Sequence, residues 1–126
     1  MNVKIVKIVQ VILGLLLIVF GVNKFLNFMP SPENMPQAAT DFMVSINNTG
    51  YLFKFIGFVE IVSGILILIN KWVPFALLLI APIVVNIILF HLALDLGSIM
   101  PGAVILILVV YLFYSYWNKF KPLFDK

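Results

Sequence analysis

The chain has 126 residues, 63% of them hydrophobic and 10% charged, with a formal net charge of +3. A mean hydropathy of +1.18, with charges well below the roughly 25% of an ordinary soluble domain, excludes a water-soluble enzyme and places the chain in a bilayer. The basic residues are all lysines at the ends of apolar runs, which excludes a nucleic-acid surface, and there is no cysteine to form disulfides, thiolate metal sites or Cys-ligated iron–sulfur clusters.

Four apolar runs are predicted as transmembrane helices: 3–26, 51–69, 73–94 and 99–117. Each has about 19 residues or more, enough at about 1.5 Å per residue to cross a hydrocarbon core of about 30 Å. Backbone polar groups have no partner in lipid outside their own segment, so the runs must be helical. The first carries Lys4, Lys7 and Gln10, then Gly14, Gly21 and Lys24 along one face. A rival reading makes residues 1–22 a cleavable signal peptide, but no small-x-small cleavage site follows and the run continues into Asn23-Lys24-Phe25.

The outer connection, 27–50, opens with Pro30, Pro32 and Pro36, which break helix. Residues 37–47 then set Ala38, Phe42, Val44 and Ile46 among polar residues, the pattern of a short interfacial helix; an unstructured loop is the alternative. Asn48-Thr49-Gly50 is a turn signal. In the second run Gly57, Glu60 and Gly64 fall within an arc of about 60°, so Glu60 lies on a small-residue stripe and faces protein. The third run holds Pro82, which should bend it, then Asn86, His91 and Asp95. Gly97-Ser98 is read as a turn before Pro101, and the fourth run has no charged residue, which makes it packing surface against lipid or a partner.

The connections 70–72 and 95–98 are short enough to force antiparallel neighbours. The expected fold is therefore an all-α, integral-membrane, antiparallel four-helix bundle with a short interfacial helix in the first extracytoplasmic loop, forming one transmembrane domain over 1–126. With both termini on one side, that side holds Lys4, Lys7, Lys71, Lys119, Lys121 and Lys126, and the other holds Lys24 and Lys54 with Glu33, Asp41 and Asp95. The positive-inside rule then makes both termini cytoplasmic in a bacterial-type inner membrane, with Trp72, Tyr114, Tyr116 and Trp117 as an aromatic belt at that interface.

An ionisable group in mid-membrane is a functional candidate by default. Lys24 lies about two residues from the outer end of its helix and Glu60 about nine from the outer end of its own. The resulting offset of roughly 10 Å can largely be spanned by a lysine side chain. Lys24 and Glu60 are thus expected to pair, either as a packing-level ion pair or as part of a site. Asn86 and His91 are about 140° apart on an ideal helix, so both cannot aim at Glu60. His91 is read either as an interfacial histidine held by Asp95 or as a proton-active or ligand-contacting imidazole beside Glu60. The candidate polar cluster is Lys24, Glu60, Asn86 and His91, with Gly14, Gly21, Gly57 and Gly64 as helix-packing positions. A lone histidine without cysteine supports neither bis-histidine haem nor a full zinc site, and no phosphate loop, nucleophile elbow or carboxylate pair at helical spacing occurs. No metal and no independent catalytic activity are expected.

The order Gly21-Val22-Asn23-Lys24-Phe25, a loop with a short amphipathic stretch, Gly57-x-x-Glu60-x-x-x-Gly64 and a third helix ending Asn86 to His91 resembles the DoxX family of small four-helix membrane proteins, over about residues 13–112. Its basic first-helix and acidic second-helix positions are matched by Lys24 and Glu60. The family includes proteins that resemble the membrane subunit of a thiosulfate:quinone oxidoreductase and others associated with oxidative-stress complexes or membrane-protein assembly. The resemblance thus implies a fold more firmly than a reaction. Three functions are carried forward. The first is a quinone-proximal or redox-associated accessory subunit whose outer-half pocket contacts a quinone head group or small substrate. The second is a non-enzymatic assembly or scaffold subunit in contact with other membrane subunits or with copies of itself. The third is a small-solute or proton carrier, which with four spans would need a dimer.

The lysine distribution generates a topology test. A reporter fused after Lys126 should be active only in the cytoplasm and one inserted near Asn34 only outside; reversal at either site would overturn the four-span arrangement.

Overall fold

The computed structural model describes residues 2–29 and 34–125. Met1, Pro30, Ser31, Pro32, Glu33 and Lys126 lie outside the described residues, and with them the helix-breaking roles of Pro30 and Pro32 and the charges of Glu33 and Lys126. Six α-helices follow in chain order: α1 (Val3–Leu26), α2 (Gln37–Asn48), α3 (Leu52–Leu68), α4 (Val73–Leu94), α5 (Met100–Ser115) and α6 (Trp117–Phe120). The described residues contain no strand.

Local chemistry sets the helix limits. Asn2 caps α1, its side-chain oxygen accepting the backbone N–H of Lys4 at 2.9 Å and of Ile5 at 3.3 Å. At the other end Asn27 closes the helix in the left-handed region, φ 50°, a conformation asparagine tolerates better than most residues. Pro36 precedes α2, where its missing N–H costs nothing. Between α2 and α3, Thr49 Oγ1 accepts the N–H of Leu52 at 3.1 Å and Gly50 adopts φ 82°, which only glycine takes without strain.

Two helices, α1 and α4, are each long and apolar enough to cross a membrane; the count rises to four only if α2 with α3, bent by 88°, and α5 with the segment 117–124, bent by 72°, each count as one span. The helical cores of the second and fourth runs are shorter than 51–69 and 99–117, with α3 at 17 residues and α5 at 16. That gives about 25 Å each at the α-helical rise. The causes are local: Asn70 at φ 60° and Trp72 at φ 51° force a tight turn after α3. After α5 the chain turns at Tyr116 so that Phe120 can bury beside Phe113, ring centroids 4.7 Å apart.

The four longer helices form a closed ring in which α1 packs on α3, α3 on α4, α4 on α5 and α5 on α1. Gly14 faces Gly64 while Gly21 faces Gly57, so α1 and α3 run antiparallel with their backbones nearly touching. A Cβ added to Gly64 would lie 2.8 Å from the carbonyl oxygen of Gly14, and one added to Gly21 would lie 2.7 Å from that of Gly57. The middle of the ring is filled by Leu13, Leu17, Ile67, Leu77, Ile80, Val109 and Leu112. The outward faces are equally apolar, with Val11, Leu15, Phe55, Phe58, Leu78, Leu89, Ile107 and Val110 all exposed. A surface of that kind suits lipid and would aggregate in water.

One end of the ring is covered by α2, whose Phe42 meets Phe90 of α4 at 5.3 Å between ring centroids. The opposite end is tied by side chains. Gln10 donates to the Ile67 carbonyl at 3.2 Å and to Asn70 Oδ1 at 3.0 Å, and the Tyr116 hydroxyl donates to Gln10 Oε1 at 2.9 Å. Tyr116 therefore points into the bundle, unlike exposed Trp72, Tyr114 and Trp117. The half-buried ring sits at the end of the bundle with its hydroxyl turned to the open acceptor of buried Gln10, an arrangement compatible with an interfacial aromatic. The carboxyl end of α5 thus carries a polar contact as well as apolar packing.

Backbone carbonyls cannot yield as flexible side chains can. Gly64→Leu is expected to separate α1 from α3 and to destabilise the bundle by roughly 1 to 3 kcal/mol through overpacking. Thermal unfolding in mild detergent measures this, and a midpoint equal to the parent's would show that the stripe tolerates a side chain.

Candidate functional site

The α1–α3 approach delivers two charged side chains to one spot. Lys24 sits one turn beyond Gly21 on α1, close enough that its Cβ would be 3.0 Å from a Cβ on Gly57. Glu60 lies one turn beyond Gly57 on α3 and is 1% exposed. The long lysine stem runs back along α3, and Nζ reaches Glu60 Oε1 at 2.6 Å. No hydrogen-bond partner other than this ion-pair contact reaches Oε1 among the described residues. Lys24 keeps 17% of its side chain exposed, and Nζ also stands 5.5 Å from the centre of the Phe53 ring, within the range of a cation–π contact.

The pair borders a cavity of about 710 Å³ beneath α2. Its walls are mostly apolar: Phe20 from α1, Phe42 and Ile46 from α2, Phe53 and Ile56 from α3, Ile83, Ile87 and Phe90 from α4, and Ile105 from α5. Its polar lining consists of Asn23, Lys24, Glu60, Asn86, His91, Asp95 and Ser98. That size, with apolar walls and few convergent polar groups, is typical of a small-molecule site.

Lys24, Glu60, Asn86 and His91 all line this one cavity. The 140° between Asn86 and His91 does not keep them apart, because the cavity is wide enough for both to border it without either reaching Glu60. Among the described residues no hydrogen bond joins Asn86 or His91 to the carboxylate. His91 does contact Asp95, but through the backbone: Nδ1 lies 3.1 Å from the Asp95 carbonyl oxygen. A carbonyl only accepts, so Nδ1 carries the proton of this bond, and in the neutral ring Nε2 is left as an acceptor. Gly102 admits His91 to the α4–α5 seam, since a Cβ there would lie 2.9 Å from Ile87 Cγ2 and 3.5 Å from His91 Cδ2.

Three lining residues were not among the sequence candidates for the cluster. Asn23 was quoted only as part of a motif, and its Oδ1 accepts the Met29 N–H at 2.8 Å, fixing the exit from α1. Asp95 holds His91 through its backbone carbonyl, while the residue is 4% exposed and its Oδ2 has no hydrogen-bond partner among the described residues. Ser98, in the 3₁₀ turn Leu96–Ser98, was read only as turn chemistry. The available signal for Asp95 was a carboxylate at the end of an apolar run, where a solvated position is the ordinary expectation.

Ring, cavity and outward apolar faces together define a small helical membrane protein with a buried ion pair in the wall of a partly open pocket. The DoxX family profile matches residues 6–93, and the chain belongs to the DoxX family. Comparison with curated proteins and with solved structures gave no match.

The Lys24–Glu60 contact sets up an asymmetric double-mutant cycle. Lys24→Met strands an almost inaccessible carboxylate and should cost on the order of 3 kcal/mol. Glu60→Gln strands a lysine that can still turn toward water, and should cost less. The double variant should recover much of the loss, as buried pairs removed together often do. Unfolding midpoints in detergent report all three, and strictly additive losses would show that the two side chains are not coupled.

Proposed function

We propose that this DoxX protein is an accessory subunit of a membrane complex that binds a small amphipathic molecule in the cavity beneath α2. The observation that carries this reading is a partly open pocket of about 710 Å³ whose apolar walls converge on a buried ion pair. A bundle built only for packing would fill such a space, because in lipid helix association depends on close van der Waals contact. In this reading all four long helices cross the membrane, both termini are cytoplasmic and the cavity lies in the outer half. Residues 1–126 then act as one transmembrane unit.

A quinone head group is the first ligand to consider. Its ring fits between phenylalanine and isoleucine walls, and its carbonyls accept hydrogen bonds from groups such as the Asn86 amide and Ser98 hydroxyl. In this reading partner subunits supply the electron carrier, and the residues of this chain bind and orient the ligand. The Lys24–Glu60 pair would hold the cavity mouth polar and fix α1 against α3 while the ligand enters.

The test is purification in mild detergent with mass spectrometry of what travels with the chain. The parent should carry a small amphipathic molecule that is lost from Ile83→Trp, in which a partly buried wall residue is enlarged into the cavity. A stoichiometric partner protein with no small molecule would favour the scaffold reading instead.

A further inference from the structure

The cavity's charges do not balance. Among the described residues Lys24 is the one lysine that lines it, and its ammonium is already committed to Glu60 at 2.6 Å. Asp95 supplies a second carboxylate to the same lining, is 4% exposed, and has a buried oxygen, Oδ2, without a hydrogen-bond partner among the described residues. A buried carboxylate in that state carries the full desolvation penalty of an unanswered charge. Its surroundings favour positive charge still further. Asp95 is the C-cap of α4, where the helix ends with unsatisfied carbonyls and the negative pole of its dipole. His91 turns its Nδ1 proton to the Asp95 carbonyl, so in the neutral ring Nε2 is a second acceptor. Phe42 and Phe90, tilted at 42° with ring centroids 5.3 Å apart, belong to the same lining, and aromatic rings are groups to which organic cations are attracted.

We infer that the cavity's preferred ligand is an amphiphilic organic cation, a protonated amine on an apolar body, with the ammonium against Asp95 and the body between the phenylalanine and isoleucine walls. This rests on the cavity being a ligand site and narrows the class of ligand. A quinone only accepts hydrogen bonds and would leave Asp95 unanswered. A neutral alcohol could donate one bond to Oδ2 but would bring no countercharge. An ammonium supplies both, through a charge-assisted hydrogen bond of the stronger kind.

The experiment compares tritiated phenylbutylamine with tritiated phenylbutanol, which match in shape and differ in charge at neutral pH, in equilibrium binding to the purified full chain in maltoside detergent. The amine is expected to bind at least about tenfold more tightly, the margin of one charge-assisted bond. Asp95→Asn, isosteric and checked for monodisperse elution, should remove that margin, so that the two probes bind alike. Equal binding of the two probes to the parent would overturn the cation preference while leaving the ligand cavity standing, and would decide the matter even if the variant failed to fold. A preference that survives in Asp95→Asn would overturn the role of Asp95. Binding of neither probe would overturn both the preference and the cavity reading on which it rests.

Discussion

The close approach of α1 and α3 is the constraint on which the rest of the structure depends. Four glycines, two on each helix at seven-residue spacing, bring the backbones so near that an added Cβ would lie within 3 Å of a facing carbonyl oxygen. In lipid there is little hydrophobic gain in helix association, and dispersion at short range has to supply the attraction. The same approach decides the chemistry above it. Lys24 and Glu60 each lie a few residues from one of these glycines, so the stripe that packs the helices also sets the ion pair's geometry. Packing and polarity are one arrangement here, since loosening the seam would strand a carboxylate that has no water to turn to.

The bundle is fastened by polar contacts at both ends and by apolar packing between them. At the end where the chain begins, Gln10, Asn70 and Tyr116 link α1, the α3–α4 turn and the end of α5. At the other end the Lys24–Glu60 pair links α1 to α3, and α2 covers the opening. Each group in the first set has a partner, as a structural cross-link requires. The second set does not close in the same way: Asp95 Oδ2 is buried beside open space with no hydrogen-bond partner among the described residues. That contrast between a satisfied end and an unsatisfied one is the physical reason for placing function beneath α2.

Membrane residence, the all-helical fold and the order of the elements were legible in the sequence, because each follows from local rules that hold whatever the neighbours are. A long apolar run in lipid must satisfy its own backbone and so becomes a helix, and three prolines in the first connection, followed by an alternation of polar and apolar residues, mark a break and then α2. Residue order also put Glu60 on a glycine face and so against protein, and carried the resemblance to the DoxX family that the match over residues 6–93 shows. What the sequence could not determine depends on distances between helices. Nothing in the sequence links Tyr116 to Gln10, 106 positions away, whose side chain its hydroxyl reaches by a hydrogen bond. The burial of Asp95 in a cavity lining shared with α2 and α5 follows from the packed bundle, and Asn86 and His91 read as facing apart until the space between the helices proves wide enough for both. Hydropathy also does not see where a tight turn ends a helix, and α3 and α5 stop one or two residues inside the apolar runs 51–69 and 99–117. Periodicity fixes the direction of a side chain about its own axis; only the packed bundle decides what stands opposite it.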